Sequence, residues 1–421
     1  MNISDSERIA GLLEKPHPNP LLGKEREFKL ASEITAADLV IFNTCGIRQM
    51  AEDRAYGQIH NLRKNNPQIK IILTGCLANR KDVQRRLKDK VNFFCEIKNI
   101  ENIIDALNTD CNYLNIAPKY SNKHSALVPI MTGCNNFCSY CVVPYARGQE
   151  ISRPASEIIT EIKNLLKNGC KEIMLLGQNV NSYAYAKIIF PKLLRKIEKI
   201  PGHFRIRFMS SHPKDFSDEL IETIAKSKKV CEQIHLPIQA GSDKILTAMN
   251  RKYTTKHYLS LIKKIRATFK KYKLDTPYSL TSDIIVGFPG ETKKNFMETA
   301  KIMEKVKYDM VYFGQFSPRP GTVAWKLKDS ISKQEKIRRE RFLNDILAET
   351  TCAKNKKYVG KILEVLVDSE KNECYFGRTR SGKDVKIITN RKNLVGNFIK
   401  VKITKANIWN LEAHVPMRHE K

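Results

Sequence analysis

Long hydrophobic runs are absent from this sequence. No apolar run approaches the roughly 18 residues that a bilayer crossing requires, and mean hydropathy is −0.41. The amino end, Met1 to Glu7, carries acidic residues where a secretory signal would have a basic cap and an apolar stretch. The sequence therefore predicts a soluble protein of the cytoplasm with no membrane partner.

Acidic residues are also scarce beside basic ones. The 421 residues include 74 Lys and Arg against 44 Asp and Glu, which gives a formal net charge of +30. A positive field of this size favours a polyanionic partner, above all a nucleic acid. The alternative explanation is lysine-rich codon usage, which the charge alone does not separate from a binding function.

The eleven cysteines are an odd number, and in a cytoplasmic chain they favour metal ligation or redox chemistry over a disulfide framework. Three of them fall in the run Cys134-Asn-Asn-Phe-Cys138-Ser-Tyr-Cys141, directly after a predicted strand. Three thiolates so spaced can hold three corners of a cubane iron–sulfur cluster and leave the fourth iron open to the amine and carboxylate of a methionine moiety. The alternative is zinc, which prefers four protein ligands in Cys-x2-Cys pairs; no second pair is present.

Two cysteines outside this run follow predicted strands of an amino-terminal domain, residues 1–117. Residues 38–45 and 70–76 have the composition of short buried strands, and 47–64 has that of a helix between them. This alternation predicts an open parallel α/β sheet. Cys45 and Cys76 would then lie at the carboxyl ends of neighbouring strands, where such sheets bind ligands.

The length predicts about three domains at roughly 150 residues each, and two more regions follow the first. Residues 120–350 alternate between strand and helix patterns, with predicted strands at 127–132, 172–177, 205–210, 233–238, 280–287 and 310–316. Six such units are too few for a closed eight-strand barrel, so they predict a partial, TIM-like (β/α)6 barrel.

The third region, residues 353–416, has short strands separated by Gly, Asn, Asp and Lys turns, which predicts a small all-β barrel. Basic small barrels commonly bind nucleic acid along one face. Four basic residues cluster around one turn beside an aromatic strand and are the candidate RNA contacts: Arg378, Arg380, Lys383 and Lys386.

The cysteine run and the segments around it resemble the radical S-adenosylmethionine (SAM) superfamily, and within it the methylthiotransferases of the MiaB type. The segments that carry the resemblance are Thr132 to Gly148, Ser152-Arg-Pro154, Asn43-Thr-Cys45, Thr74-Gly-Cys76, Leu175 to Tyr183, Ser210 to Phe216, His235 to Asp243, Asp283 to Thr292 and Ser317 to Thr322. The terminal barrel resembles the TRAM domain, so the similarity covers nearly the whole chain.

The resemblance implies an enzyme with two 4Fe-4S clusters and SAM that adds a 2-methylthio group to N6-isopentenyl-adenosine beside the anticodon of tRNA. Cys134, Cys138 and Cys141 would hold the cluster that cleaves SAM to a 5′-deoxyadenosyl radical, while Cys45 and Cys76 would belong to the auxiliary, sulfur-supplying cluster. No catalytic side chain beyond the cluster ligands is expected, because a cofactor radical performs such chemistry while the protein positions it. The resemblance further implies a monomer that receives electrons from a flavodoxin or ferredoxin and binds the anticodon stem-loop.

Polar and glycine residues after predicted strands are the candidate cofactor-binding residues: Gly177, Gln178, Asn179, Ser211, Gly287 and Glu291. Gly287 and Glu291 also fit an ordinary strand-to-helix turn. His212, in the same region, is expected to be a satisfied structural residue.

The sequence departs from the family at the auxiliary cluster. The family pattern has a third cysteine in a first strand, and this chain begins at Met1-Asn2, just after that place. We expect that the true reading frame extends upstream, since two thiolates bind a cluster poorly. The alternative is recruitment of Cys95 or Cys111, both of which have the character of small buried hydrophobic residues.

Other functions stay open at this point. The chain could be a thiomethylase of threonylcarbamoyl-adenosine in tRNA or of a ribosomal-protein aspartate, and the Leu175 to Tyr183 segment favours the isopentenyl substrate over both. It could also be a catalytically disabled iron–sulfur RNA-binding homologue.

Overall fold

The computed structural model describes residues 1–14, 17–18, 25–26, 28–46, 49–97, 99, 116 and 118–416. The chain forms two compact units. The amino-terminal unit comprises 1–121, 131–153 and 317–327, and the core unit comprises 122–130, 154–316 and 328–421. Two segments that the sequence analysis assigned to the central domain, 131–153 and 317–327, thus belong to the amino-terminal unit.

The amino-terminal unit is an α/β layer around a short parallel sheet. Its first elements are α1 (Asn2–Leu13), β1 (His17–Pro18), β2 (Glu25–Arg26), β3 (Leu39–Thr44), α2 (Gln49–Asn65), β4 (Lys70–Gly75), α3 (Lys81–Leu87) and β5 (Phe93–Phe94). The sheet has the order β3-β4-β5, and all its strands are parallel. The apolar run of β4 is buried because helices cover a parallel sheet, and Ile59 of α2 packs into the same core. The strands predicted at 38–45 and 70–76 are confirmed.

The next segments of the chain belong alternately to the two units, and the stretch from residue 154 to residue 316 then belongs to the core unit. The strand β6 (Ser125–Pro129) belongs to the core unit, whereas β7 (Met131–Thr132), α4 (Val143–Arg147) and β8 (Ile151–Ser152) belong to the amino-terminal unit. Strands β7 and β8 pair antiparallel. They form the base of the loop that carries Cys134, Cys138 and Cys141.

The core unit contains a partial barrel of six parallel strands. Its elements are β6, α5 (Ala155–Lys167), β9 (Glu172–Leu176), β10 (Ala184–Tyr185), β11 (Ile188–Ile189), α6 (Phe190–Glu198), β12 (Arg205–Phe208), α7 (Asp218–Lys226), β13 (Gln233–His235), α8 (Asp243–Ala248), α9 (Thr255–Tyr272), β14 (Ser279–Val286), α10 (Lys293–Val306), β15 (Met310–Gln315) and α11 (Lys333–Lys356). The sheets β6-β9-β12 and β13-β14-β15 are joined by a parallel bridge between Ile206 and Val230. All six strands expected for the (β/α)6 barrel are confirmed.

A closed five-strand barrel completes the core unit. Its strands are β16 (Ile362–Lys371), β17 (Cys374–Thr379), β18 (Asp384–Ile388), β19 (Phe398–Ala406) and β20 (Leu411–His414), in the order β16-β17-β18-β20-β19. Alternate residues such as Val365, Val385 and Val401 fill its interior. No helix among the described residues is long and apolar enough to span a membrane.

The turn between β17 and β18 fastens this barrel to the amino ends of the core strands. Arg205, the first residue of β12, donates from Nη1 to the carbonyl oxygen of Arg378 at 2.8 Å. Arg207 donates to the carbonyl oxygens of Thr379 and Arg380 at 2.6 and 3.0 Å. The small barrel is therefore bound at the amino ends of the core strands. The ligands of a partial barrel bind at the opposite, carboxyl ends.

Candidate functional site

The loop with the three cysteines is closed tightly at its base. The Cys134 amide donates to the carbonyl oxygen of Gly148 at 3.2 Å, and the Cys141 amide donates to that of Cys138 at 3.0 Å. Gly133 has φ +77°, and a Cβ there would lie 1.9 Å from the carbonyl oxygen of Gln149. Only glycine fits this close approach, so the local sequence fixes where the cysteines begin.

The three thiols are shielded from water to different extents. Burial raises the pKa of Cys134, and it raises that of Cys141 to about 12, with the nearby Cys138, Cys134 and Cys76 adding to the increase. The side-chain amide of Asn136 donates from Nδ2 to Sγ of Cys134 at 3.5 Å. Buried thiols of this kind form thiolates when a metal replaces their protons, and a hydrogen bond to a ligand sulfur tunes the bound cluster.

Cys45 and Cys76 lie side by side, as expected from the sequence. Each directly follows its strand, and the register pairs Thr44 with Gly75. The Cys76 amide donates to the carbonyl oxygen of Thr44 at 3.0 Å. Gly75, at φ +85°, has no room for a Cβ, which would lie 2.4 Å from that same oxygen. The glycine therefore allows the two cysteine-bearing turns to approach each other.

The structure also places this cysteine pair against the three-cysteine loop. A Cβ on Gly46 would lie 3.0 Å from Cβ of Cys76 and 3.4 Å from Cγ2 of Val142, the residue after Cys141. The same proximity explains the electrostatic effect of Cys76 on Cys141. Five cysteines from two distant parts of the sequence are thus collected in one region of the amino-terminal unit.

The chemistry of this donor set fits iron–sulfur clusters. Within the described residues, no group of three or more His, Cys, Asp or Glu side chains converges on the position of one metal ion. A cubane cluster does not require such convergence, because each thiolate binds a different iron. Of the cysteines considered as substitutes for a third auxiliary ligand, Cys95 is buried with its Sγ donating to the carbonyl oxygen of Asn99 at 3.0 Å, and Cys111 lies outside the described residues.

A buried carboxylate, which the sequence analysis missed, connects the surroundings of both cysteine groups. Glu52 on α2 accepts from Nη1 of Arg80 at 2.7 Å and from Nη1 of Arg319 at 3.2 Å. Arg80 lies in the turn that follows Cys76, and Arg319 belongs to the 317–327 segment. In that segment the Ala324 amide donates to the carbonyl oxygen of Ser139 at 2.7 Å, between Cys138 and Cys141. We call Glu52, Arg80 and Arg319 the Glu52 network.

A second candidate site lies at the carboxyl ends of β9 and β12 in the core unit. Three of the predicted cofactor-binding residues lie there, and each has a buried polar atom without a hydrogen-bond partner in the described structure: Oε1 of Gln178, Oδ1 of Asn179 and Oγ of Ser211. Asn179 uses its amide nitrogen to donate to Asp215 at 2.7 Å. Buried polar atoms normally have partners, so these three atoms mark a place for a polar ligand.

Gly287 and Glu291 have a structural role. The Glu291 carboxylate accepts from the Gly287 amide at 2.8 Å and forms a buried ion pair with Arg339 of α11. A Cβ on Gly287 would lie 2.4 Å from Cγ of Lys336. The glycine is therefore needed for packing against α11, and the carboxylate is occupied within the protein.

His212 has the structural role that the sequence predicted. Its Nδ1 accepts from the Lys214 amide at 3.2 Å, and its ring packs edge-on against Tyr253. Burial, with the nearby charges of Arg251 and Lys214, lowers its pKa to about 2. The ring is therefore neutral at all working pH values.

Further polar residues follow β12, lie at or beyond the end of β13, or lie along β14, and most of them belong to segments quoted above for the family resemblance. Ser210 and Gln239 are non-glycine residues at φ +65° and +69°, and such backbone strain clusters at functional sites. His235 lies 3.0 Å from Oγ1 of Thr281 and 3.5 Å from a carboxylate oxygen of Asp283.

The basic turn of the small barrel is placed differently from the expectation. Arg380 forms a two-point ion pair with the buried Glu232 at 2.8 and 2.9 Å, and Lys383 pairs with the buried Asp309 at 3.1 Å. The prediction of an RNA-contacting turn is therefore corrected for these two residues, because acids at the amino ends of the core strands bind them. Arg378 is partly exposed beside Asp384, and Lys386 pairs across the strands with the exposed Phe376.

Comparison with known proteins gives matches across the chain. The models described as Radical SAM superfamily, Uncharacterized protein family UPF0004 and TRAM domain match residues 128–303, 1–95 and 356–415. A solved structure of the radical SAM methyltransferase TsrM from Kitasatospora setae matches with a TM-score of 0.49 and 15% identity over 68% of this chain and 64% of that one.

Curated relatives match over nearly the full length. The tRNA-2-methylthio-N(6)-dimethylallyladenosine synthase of Clostridium botulinum strain Langeland is 42% identical over 98% of this chain and 94% of its own. The proteins of the same name from Thermoanaerobacter pseudethanolicus and Carboxydothermus hydrogenoformans are 40% and 39% identical over 99% and 98% of this chain, and over 90% and 96% of their own. This chain therefore belongs to the radical SAM methylthiotransferase family, in the branch of the tRNA-2-methylthio-N(6)-dimethylallyladenosine synthases.

Proposed function

We propose that this protein adds a 2-methylthio group to N6-isopentenyl-adenosine next to the anticodon of tRNA. The observation that carries the proposal is the identity of 40 to 42% with full-length relatives of that name. The five cysteines collected in the amino-terminal unit provide three thiols for one cluster and two for a second. The radical SAM domain implies SAM and a 4Fe-4S cluster as cofactors.

Cys134, Cys138 and Cys141 would hold this cluster, and their spacing leaves one iron without a protein ligand. When bound, the cluster and SAM supply the reductive cleavage that begins the reaction. Cys138 is buried and Cys134 and Cys141 are partly buried, and the side-chain amide of Asn136 donates a hydrogen bond to Cys134 that orients this thiol. The unpartnered polar atoms of Gln178, Asn179 and Ser211 are the proposed partners of the ribose, adenine or methionine groups of SAM. Gly177, beside them, is proposed to let the backbone approach the ligand.

The second cluster is proposed to use Cys45 and Cys76. Support comes from their adjacent turns and from the position of Gly46 between Cys76 and Val142. A cubane cluster held by these two thiols needs at least one more ligand. A sulfur source in this position would be close to the three-cysteine loop. This closeness is required because both clusters would act on the same substrate carbon.

The proposed partner is the anticodon stem-loop of tRNA, with the TRAM domain and the net charge of +30 as support. On the barrel, Arg378 and Lys386 remain the proposed phosphate contacts. We further propose a cytoplasmic monomer that is reduced by a flavodoxin or ferredoxin.

Nucleoside mass spectrometry tests this function. In a strain lacking the protein, the 2-methylthio derivative of N6-isopentenyl-adenosine should disappear from tRNA, and the unthiolated nucleoside should accumulate. Wild-type protein should restore the product, whereas the Cys141→Ala variant should not. Normal levels of the modified nucleoside in the deletion strain, or loss of a different modified nucleoside, would contradict the proposal.

A further inference from the structure

Three exposed aromatic side chains surround the three-cysteine loop in the amino-terminal unit. Phe137, Tyr145 and Trp325 have 46%, 52% and 50% of their surface exposed. The rings of Phe137 and Tyr145 contact each other edge to face, with centroids 5.9 Å apart. Their exposed surface contributes no burial free energy to the fold.

Phe137 occupies a backbone conformation that does not suit it. Its φ is +45°, a region in which Asn and Gly are favoured and bulky residues are outliers. The two preceding residues, Asn135 and Asn136, are of the favoured type, and yet the aromatic residue takes the strained position. The Glu150 amide donates to Oδ1 of Asn135 at 3.1 Å and fastens this part of the loop. The outward ring is therefore held in place at a cost in free energy.

Trp325 is held beside the same loop by its own turn. Oγ1 of Thr322 accepts from the Trp325 amide at 3.2 Å. The amide of the preceding residue, Ala324, donates to the carbonyl oxygen of Ser139 at 2.7 Å, and Ala324 itself is fully buried. Ser139 is two residues from Phe137, so this contact places the residue that carries the indole next to the three-cysteine loop.

Exposed aromatic rings provide faces on which unstacked bases can stack. Proteins recognise RNA loops by stacking splayed bases on aromatic side chains, and every base has a face that can stack. If the target adenosine reaches the cysteine loop, the nucleotides on either side of it must pass over the surface around that loop. A chain of net charge +30 attracts the phosphates of such a strand.

We propose that Phe137, Tyr145 and Trp325 form a platform on which unpaired nucleotides flanking the target adenosine stack. The proposal rests on the proposed function, because it takes the anticodon loop as the substrate. Stacking on the platform contributes to RNA affinity without releasing counterions, whereas phosphate contacts release them.

Trp325 provides a direct test. The chain has two tryptophans, so the Trp409→Phe variant of the full-length, cluster-loaded protein leaves Trp325 as the single indole reporter. Titration with an anticodon stem-loop RNA containing N6-isopentenyl-adenosine should quench its fluorescence to saturation. In the wild-type background, Tyr145→Ala and Trp325→Ala should each weaken binding of this RNA about tenfold. The slope of affinity against salt concentration should not change.

Tyr272→Ala is the matched control, since Tyr272 is an exposed aromatic residue whose ring contacts Lys226 and Lys271 at the end of α9. This variant should bind RNA as the wild type does. Iron content and 5′-deoxyadenosine formation without RNA should be unchanged in Tyr145→Ala and Trp325→Ala, which shows that the cysteine loop is intact.

Three results would overturn the platform: wild-type RNA affinity in both variants, an altered salt slope that accounts for the whole loss, or a defect limited to reduction by flavodoxin. The last result would make the surface a protein-docking site. Failure of the platform differs from failure of the proposed function, because in the latter case the wild-type protein itself would neither bind nor modify the stem-loop.

Discussion

Two buried carboxylates, one in each unit, hold two arginine or lysine side chains each, and yet they join different things. Glu52 joins the turn after Cys76 to the segment that supports the three-cysteine loop. Glu232 joins Arg380 of the small barrel and Lys273 of α9 at the amino ends of the core strands. The same kind of ion pair thus fastens the cysteine-bearing loops in one unit and attaches the small barrel in the other.

The largest effect is expected at the domain attachment. Glu232→Ala leaves Arg380 and Lys273 without their carboxylate, and loss of one partner of a buried charge pair costs about 3–5 kcal/mol. The free energy of unfolding of the core unit, measured with urea, should fall by this amount. The iron content of the amino-terminal unit should stay at the wild-type level. Loss of iron together with stability would show that the two carboxylates do not have separate roles.

A smaller loss of stability but a larger change in chemistry is expected at Glu52. Glu52→Gln keeps an acceptor for Arg80 and Arg319 but removes the charge, so the two cysteine regions should lose their fixed arrangement. The ratio of 5′-deoxyadenosine formed to methylthiolated product should rise severalfold, and Glu52→Asp should restore part of the coupling. The matched control is Arg63→Ala, which removes hydrogen bonds to the carbonyl oxygens of Lys90 and Ile69 at the opposite ends of the strands. If the ratio of 5′-deoxyadenosine to methylthiolated product did not change in Glu52→Gln, Glu52 would not position the two cysteine regions.

His212 adds a neutral buried group to this comparison of charged ones. Its folded-state pKa is about 2, so the folded protein does not protonate it, whereas the unfolded chain does so below about pH 6.5. The contribution of His212 to the free energy of unfolding is therefore complete above about pH 6.5. It decreases as the pH falls, by about 2 kcal/mol between pH 7 and pH 5. His212→Asn retains an acceptor for the Lys214 amide and should remove this part of the pH dependence in urea unfolding. Parallel pH profiles for the two proteins would contradict the assignment.

The smallest effect is expected on tRNA binding by the small barrel, where Lys386 and Lys383 have different roles. Lys386→Ala should weaken tRNA binding modestly at low salt and reduce the salt slope by about 1, as expected for one lost phosphate contact. Lys383→Ala should leave the slope unchanged and lower stability, because Lys383 is bound to Asp309. A reduced salt slope in Lys383→Ala with an unchanged slope in Lys386→Ala would show that the turn between β17 and β18, rather than Lys386, contacts RNA.

The sequence was sufficient for features that are local or periodic. The strand and helix alternation predicted the partial barrel, and the strand ends placed Cys45 and Cys76 correctly, because register follows from the buried runs of neighbouring strands. The positions of Gln178, Asn179 and Ser211 after strands were predicted in the same way, whereas their contact with SAM remains a proposal.

Features that depend on distant contacts were not predictable in this way. The basic residues Arg380 and Lys383 have the pattern of an RNA surface, and only the tertiary structure shows the acids that bind them. The Glu52 network joins residues more than two hundred positions apart. A single glutamate in an amphipathic helix carries no sequence signal of such contacts.

The decisive measurement is Mössbauer spectroscopy of the Cys45→Ala/Cys76→Ala double variant, because this variant lacks both proposed thiol ligands of the second cluster and keeps Cys134, Cys138 and Cys141. We expect one 4Fe-4S cluster in which a single iron changes its isomer shift when SAM is added. A cluster with four indistinguishable thiolate-type irons that ignores SAM, or a loop that carries zinc in protein isolated without reconstitution, would contradict it.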